Sequence, residues 1–259
     1  MPVSKKVAQG VCKTHQDIVL LLSDLGLINA PVLILFRASE IRELDLSETN
    51  DLAEIFTPIL AIDLAHLTRL PALSSLHLDD TNIGNEAIFI LVALSRTLTS
   101  LSIASNPLIT DACVPALMTF TRLFYLSLEG TGIRMAGLRM LAKWIVDSGE
   151  EGERGMDIRI PEECEAYLDH MDTQYLVDIP HTIHDSQLVS SPSRVSDLAT
   201  PVLLYNLEAH ADWNPSIRSG GSRAEMKERL RGVLEVRRSD LVLAGLITVG
   251  DEEGDELKG

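Results

Sequence analysis

The chain has 259 residues, 46% of them hydrophobic and only 4% aromatic, and a formal net charge of −16. That acidity disfavours nucleic acid and anionic membrane as partners, because both select a positive surface. The cysteines Cys12, Cys113 and Cys164 are odd in number and far apart, which reads as a reduced protein of the cytoplasm or nucleus.

Residues 1–13 are small, polar and basic and read as a loose N-terminus. No apolar run follows Lys5 and Lys6 closely enough for a signal peptide, and none is long enough to span a bilayer. Thr14, with Asp17 three residues on and the run Ile18 to Leu22 behind it, predicts a capped helix. Pro31 to Phe36 predicts a second short helix with proline harmlessly at its start.

A repeating pattern follows. It reads Ile41-x-x-Leu44-x-Leu46-x-x-Thr49, then Leu73-x-x-Leu76-x-Leu78-x-x-Thr81-x-Ile83. It continues as Leu98-x-x-Leu101-x-Ile103-x-x-Asn106 and Leu123-x-x-Leu126-x-Leu128-x-x-Thr131-x-Ile133. Starts at 41, 73, 98 and 123 give steps of 32, 25 and 25 residues, so the first unit carries an insertion, read as a longer helix around Leu52 to Leu67. Alternation in Leu-x-Leu is the strand period of two, and Ile88 with Leu91 returns to the core at helical spacing. A strand and a helix in about 25 residues bury their apolar face only against neighbouring units, which predicts a solenoid. Met156 to Ile160 fits a fifth strand, after a long helix through Trp144 and the acidic loop Gly149 to Gly155. Pro161 to Met171 would close the array, as the two N-terminal helices would close its other end. At the conserved-spacing position of Thr49, Thr81, Asn106 and Thr131, a side-chain oxygen can accept from backbone donors of the turn.

The segments Asn106 to Ala112 and Thr131 to Leu138 resemble the cysteine-containing and ribonuclease-inhibitor-like branches of the leucine-rich-repeat family, with Thr or Asn where the former has Cys. The resemblance covers about residues 15–171. It implies an α/β solenoid with a parallel concave sheet and convex helices, here over residues 14–171 with helical caps, and it says little about function.

Beyond it the pattern is lost. Residues 172–221 are polar, with Ser190-Ser191-Pro192-Ser193, and read as a linker holding a short docking segment from Pro201 to Trp213. Residues 222–259 open on a capping box, Ser222 and Glu225. They continue as an amphipathic helix to about Val236, with Met226, Leu230, Val233 and Leu234 on one face, and end in the acidic run Asp251 to Glu256. The whole extension is expected to be partly disordered. The helix carries the one basic cluster (Arg223, Lys227, Arg229, Arg231, Arg237, Arg238), suited to docking on a partner or back on the acidic repeat.

Candidate functional residues lie between the core leucines, on the exposed face of the sheet. The expected columns are Glu43, Ser75, Ser100, Tyr125, Asp157, then Asp45, His77, Ser102, Ser127, Arg159, then Ser47, Asp79, Ala104, Glu129. Strands about 4.8 Å apart make each column continuous. Glu43, Asp45, His77, Asp79, Ser102, Tyr125, Ser127, Glu129 and Arg159 are the expected partner-binding set, and their acidity suits a protein with basic side chains.

Chemistry is less favoured. Asp45, His77 and Ser102 fall in neighbouring strands like a hydrolase triad, but an open face offers no oxyanion hole. His181 and His184, with His170 and Asp172, have metal-like spacing in a proline-broken polar stretch that reads as solvated loop. Cys113 reads as a buried apolar side chain, and Ser219 to Ser222 lacks the lysine of a phosphate loop. The expectation is a non-catalytic scaffold or adaptor without cofactor or metal. Alternatives are a Ran-type GTPase activator, for which Arg37, Arg42 and Arg69 are the candidate arginines, or a substrate receptor of a ubiquitin ligase.

Overall fold

A computed structural model of the chain describes residues 14–28, 30–47, 61–148, 156–177 and 187–252. Thr49, the loop 149–155 and the pair His181 and His184 lie outside these residues, as do the N-terminus 1–13 and most of the acidic tail. The fold is mixed α/β and divides into two compact units, one of Met1–Glu162 with Leu246–Gly259 and one of Glu163–Gly245. That division falls ahead of the boundary at Met171 expected from the repeat.

In the first unit, helices α1 (His15–Asp24) and α2 (Ala30–Leu35) precede a parallel sheet. Its strands are β1 (Glu43–Asp45), β2 (Ser75–His77), β3 (Ser100–Ser102), β4 (Tyr125–Ser127) and β5 (Asp157–Arg159), adjacent in chain order. Helices α3 (Ala61–Leu67), α4 (Asn85–Leu91), α5 (Val114–Leu117) and α6 (Met135–Ser148) join them in turn. The predicted helix around Leu52 to Leu67 is described only from Ala61 onward. The expected register holds: Leu44, Leu76, Leu101, Leu126 and Ile158 are Cα partners across the sheet. All five are buried, as are Leu46, Leu78, Ile103, Leu128 and Ile160 one pleat further on. Each strand buries its central residue between exposed or half-buried neighbours, Ser102 and Ser127 excepted, so a parallel ladder forms where the sequence repeats its Leu-x-Leu. Leu123 is only half-buried, unlike its equivalents Leu73 and Leu98.

The turns after the strands are tied by side chains. Asn106 is fully buried. Its Oδ1 accepts from the N–H groups of Thr81 (3.2 Å) and Ile83 (3.1 Å) of the preceding unit. Its Nδ2 donates to the carbonyls of Leu78 (2.8 Å), Ile103 (3.0 Å) and Ala104 (2.9 Å). Thr81 and Thr131 each donate their hydroxyl 2.7 Å to the carbonyl three residues back, Leu78 or Leu128, and the Thr131 hydroxyl also accepts the Ile133 N–H of its turn at 3.5 Å, as expected. The Thr81 hydroxyl also lies 3.3 Å from Asn106 Oδ1 of the next unit, so it both closes its own turn and meets that amide. Between helix starts, Asn85 and Thr110 exchange two 2.9 Å bonds. Asp111 Oδ1 accepts the N–H of Arg134 (2.8 Å), and a Cβ at Gly137 would collide with that carboxylate.

Helix α1 forms on the predicted capping box, Thr14 N–H to Asp17 Oδ2 (2.9 Å) and Asp17 N–H to Thr14 Oγ1 (3.1 Å). It then serves the open edge of β1. Gln16 accepts from Arg42 N–H (2.8 Å) and Glu43 N–H (3.2 Å) and donates to the Glu43 carbonyl (2.7 Å), and Ser23 donates to the Asp45 carbonyl. An edge strand left bare would recruit other strands, and these side chains occupy its donors and acceptors.

In the second unit much of the stretch expected to be a linker with a short docking segment is packed structure, while residues 178–186 and 253–259 of the extension lie outside the described residues. Helix α7 (Glu162–Asp169) enters it, and α8 (Thr200–Ala211) and α9 (Arg223–Glu252) build it with a 3-10 turn at Pro192–Asp197. Val189, Val195, Leu203 and Leu207 from the predicted linker pack with Met226, Leu230 and Leu234 of α9 in one core. The apolar residues of 189–207 were numerous enough to bury the face of α9, so neither remains free. The capping box at Ser222 forms, with Ser222 N–H 2.8 Å from Glu225 Oε2 and Glu225 N–H 3.3 Å from Ser222 Oγ. It starts a helix of 30 residues, well past the predicted end at Val236. Among the described residues no helix is long and apolar enough to cross a membrane.

The exposed sheet face as candidate functional site

The pairing of strands places the predicted columns side by side. Glu43, Ser75, Ser100, Tyr125 and Asp157 are successive partners, and so are Asp45, His77, Ser102, Ser127 and Arg159. Exposure divides them. Glu43, Asp45, Glu129 and Arg159 are exposed, while Ser75, His77, Asp79, Ser100, Tyr125 and Asp157 are half-buried. Ser102 and Ser127 are buried, at 4% and 2% exposure. They are therefore poor contact groups, a correction to the expected partner-binding set. Short side chains flanked in register by longer ones lose their surface, and the Ser102 hydroxyl also turns to Asp79 Oδ1 at 2.5 Å.

The charges are spread unevenly. Arg159 and Glu129 lie 3.7 Å apart with both side chains about half exposed, 50% and 53%. Such a solvated pair adds little stability, yet it offsets the positive charge at the β5 end. At the β1 end Glu43 and Asp45 stand exposed, Asp45 Oδ1 accepting from the Ser47 N–H at 2.9 Å. Asp79 Oδ1 takes a second bond from Ala104 N–H (2.8 Å), which holds its carboxylate across two units. The face is thus acidic at one end, small in the middle and paired at the other.

The Asp45, His77 and Ser102 set is adjacent in register, but its bonds run elsewhere: Ser102 donates to Asp79, and His77 Nε2 lies 3.2 Å from Ser75 Oγ. Arg37, Arg42 and Arg69 are all exposed, and Ala38, next to Arg37, donates its N–H to the Arg69 carbonyl (3.2 Å). Cys113 is buried, and burial pushes its thiol up to about 12, so it stays protonated and unreactive. Among the described residues no group of three or more His, Cys, Asp or Glu could hold a metal ion, and His170 Nδ1 lies 2.9 Å from the Ala166 carbonyl.

Most of the basic cluster of α9 bonds within its own unit. Arg223 donates to the Leu198 carbonyl (3.1 Å), Lys227 to that of Ser196, and Arg229 to those of Arg218 (2.6 Å) and Gly220 (2.9 Å). Arg237 Nε reaches the Leu176 and Val177 carbonyls at 3.1 and 3.2 Å. The carbonyls of a turn's end attract cations much as a helix C-terminus does.

Sequence reasoning missed the polar interior of this unit. Asn206 and His210, both fully buried, follow each other at helical spacing and alternate with the buried Leu203 and Leu207. Asn206 accepts from Val189 N–H (2.8 Å) and donates to Gln187 (2.7 Å) and Val202 (2.8 Å). Two polar residues on the apolar stripe of α8 were the available signal. No family model, no curated protein and no solved structure matches the chain.

Proposed function

We propose that the chain is a leucine-rich-repeat solenoid that docks a protein partner carrying basic side chains on its exposed sheet face and performs no catalysis itself. The observation that supports this reading best is the sheet face: five strands in one register, with Glu43 and Asp45 exposed at one end and Tyr125 half-buried near the middle. Repeat arrays bind through such extended surfaces, and exposed acids at the approach steer a basic partner. Cys113 and Cys164, free and buried, fit a reduced compartment, the cytoplasm or nucleus.

The test is capture from cell extract by the intact chain and by an E43K/D45K/E129K variant. Proteins retained by the first, released by salt and absent from the second are the expected result. An identical captured set from both overturns the assignment of this face. Stimulated GTP hydrolysis that disappears when Arg37, Arg42 or Arg69 is replaced would overturn the non-catalytic reading in favour of the GTPase activator.

A further inference from the structure

His210 sits in the middle of the second unit, 0% exposed. Its Nδ1 accepts from the Leu176 N–H at 3.1 Å. An imidazole that accepts at Nδ1 carries its proton on Nε2, and that atom is buried with no hydrogen-bond partner among the described residues. The segment it holds, Leu176 and Val177, is also held by Arg237 Nε through the two carbonyls. Just upstream, the Gln174 carbonyl takes the Nδ2 of Asn214 (3.0 Å), and the Tyr175 hydroxyl donates to Asp240 Oδ2 at 2.8 Å. Helix α8, the turn after it and α9 therefore all hold residues 174–177, and His210 supplies the contact to the Leu176 amide that depends on protonation state.

We propose that this contact is an acid-released clasp: protonation of His210 frees the Leu176 segment from α8 while the neutral form holds it. The chemistry follows from the geometry. A second ring proton would go to Nδ1, turning it from acceptor to donor directly opposite another donor. The charged ring would also lie buried, with Nε2 still lacking an acceptor among the described residues. The charged groups around it do not rescue it. Arg237 of α9 repels the cation, and Asp240, one turn further on, already takes the phenols of Tyr175 and of Tyr167 (3.4 Å). On its own helix, Glu208 and Asp212 are exposed to solvent. Burial first and Arg237 second hold the histidine down from 6.5 to about 4.

The direction in pH is set by that difference. Above 6.5 neither the clasped nor the released histidine is protonated and the clasp is at full strength. As pH falls from 6.5 towards about 4, only the released form gains the proton and the clasp weakens, with no further change below. Between about pH 7.5 and about pH 5 the opening equilibrium rises about thirtyfold by this linkage.

Hydrogen exchange of the full chain, corrected for intrinsic rates, tests it. The Leu176 amide should lose about thirtyfold protection over that interval, while the amides of Leu101 and Leu126 keep theirs. His210→Gln, whose side-chain oxygen can still accept but does not titrate, should flatten the Leu176 profile. Equal loss at all these amides means acid unfolding of the whole chain and overturns the clasp. So does the same Leu176 profile in wild type and variant. If the variant fails to fold, the ring resonances of wild-type His210 decide: titration near its unperturbed value with Leu176 still protected overturns the clasp.

Discussion

Asn106 shows how one side chain can join two units. Its amide accepts from Thr81 and Ile83 and donates to Leu78, Ile103 and Ala104, all without water access to Asn106 itself. Replacing it with alanine leaves several buried backbone groups unpaired, each costing about 1–3 kcal/mol when unsatisfied. Asn106→Ala should therefore destabilise by about 3 kcal/mol or more, read as a lower urea midpoint. Asn106→Asp keeps the acceptor but turns an oxygen towards three carbonyls, so it should rescue little. The turn position was legible from the 25-residue spacing, and the choice of partners was not. Nothing in the local sequence says that Asn106 reaches back to the backbone of the preceding unit, because the distance it spans is set by the stacking.

At the scale of elements, α1 was predicted as a cap for an apolar end, and it covers a polar edge as well. Gln16 and Ser23 satisfy β1 backbone groups that no neighbouring strand reaches. Gln16→Ala should cost about 1 kcal/mol, the usual net value of a hydrogen bond, in a thermal melt. It should also promote self-association detectable by sedimentation, since the freed edge can template pairing. A variant as stable and as monodisperse as wild type would remove this role. The helix was visible in Thr14, Asp17 and the leucines after them. Its hydrogen bonds to residues some 27 positions away were not, because they depend on where the fold carries β1.

At the scale of the whole molecule, the C-terminal region is a second packed unit with its own apolar core. Leu230 is fully buried in that core. Leu230→Ala should cost about 2–5 kcal/mol, the range for large-to-small core changes, and speed hydrogen exchange from Arg223 to Leu234. Exchange there at random-coil rates already in wild type would contradict the packing.

The sequence by itself determined the strands, their register and the buried stripe of each repeat. These follow from backbone periods of two and 3.6 residues, which write themselves into the spacing of leucines at Leu44, Leu76, Leu101 and Leu126. It also determined the capping boxes at Thr14 and Ser222, whose partners are three residues away. Only the tertiary structure decided which polar groups meet: that Ser102 and Ser127 are buried, that Arg223 and Arg237 of α9 face carbonyls, and that His210 accepts from Leu176. Those pairings join residues tens of positions apart in the chain, and a hydrogen bond is selected by distance and direction after packing has been chosen.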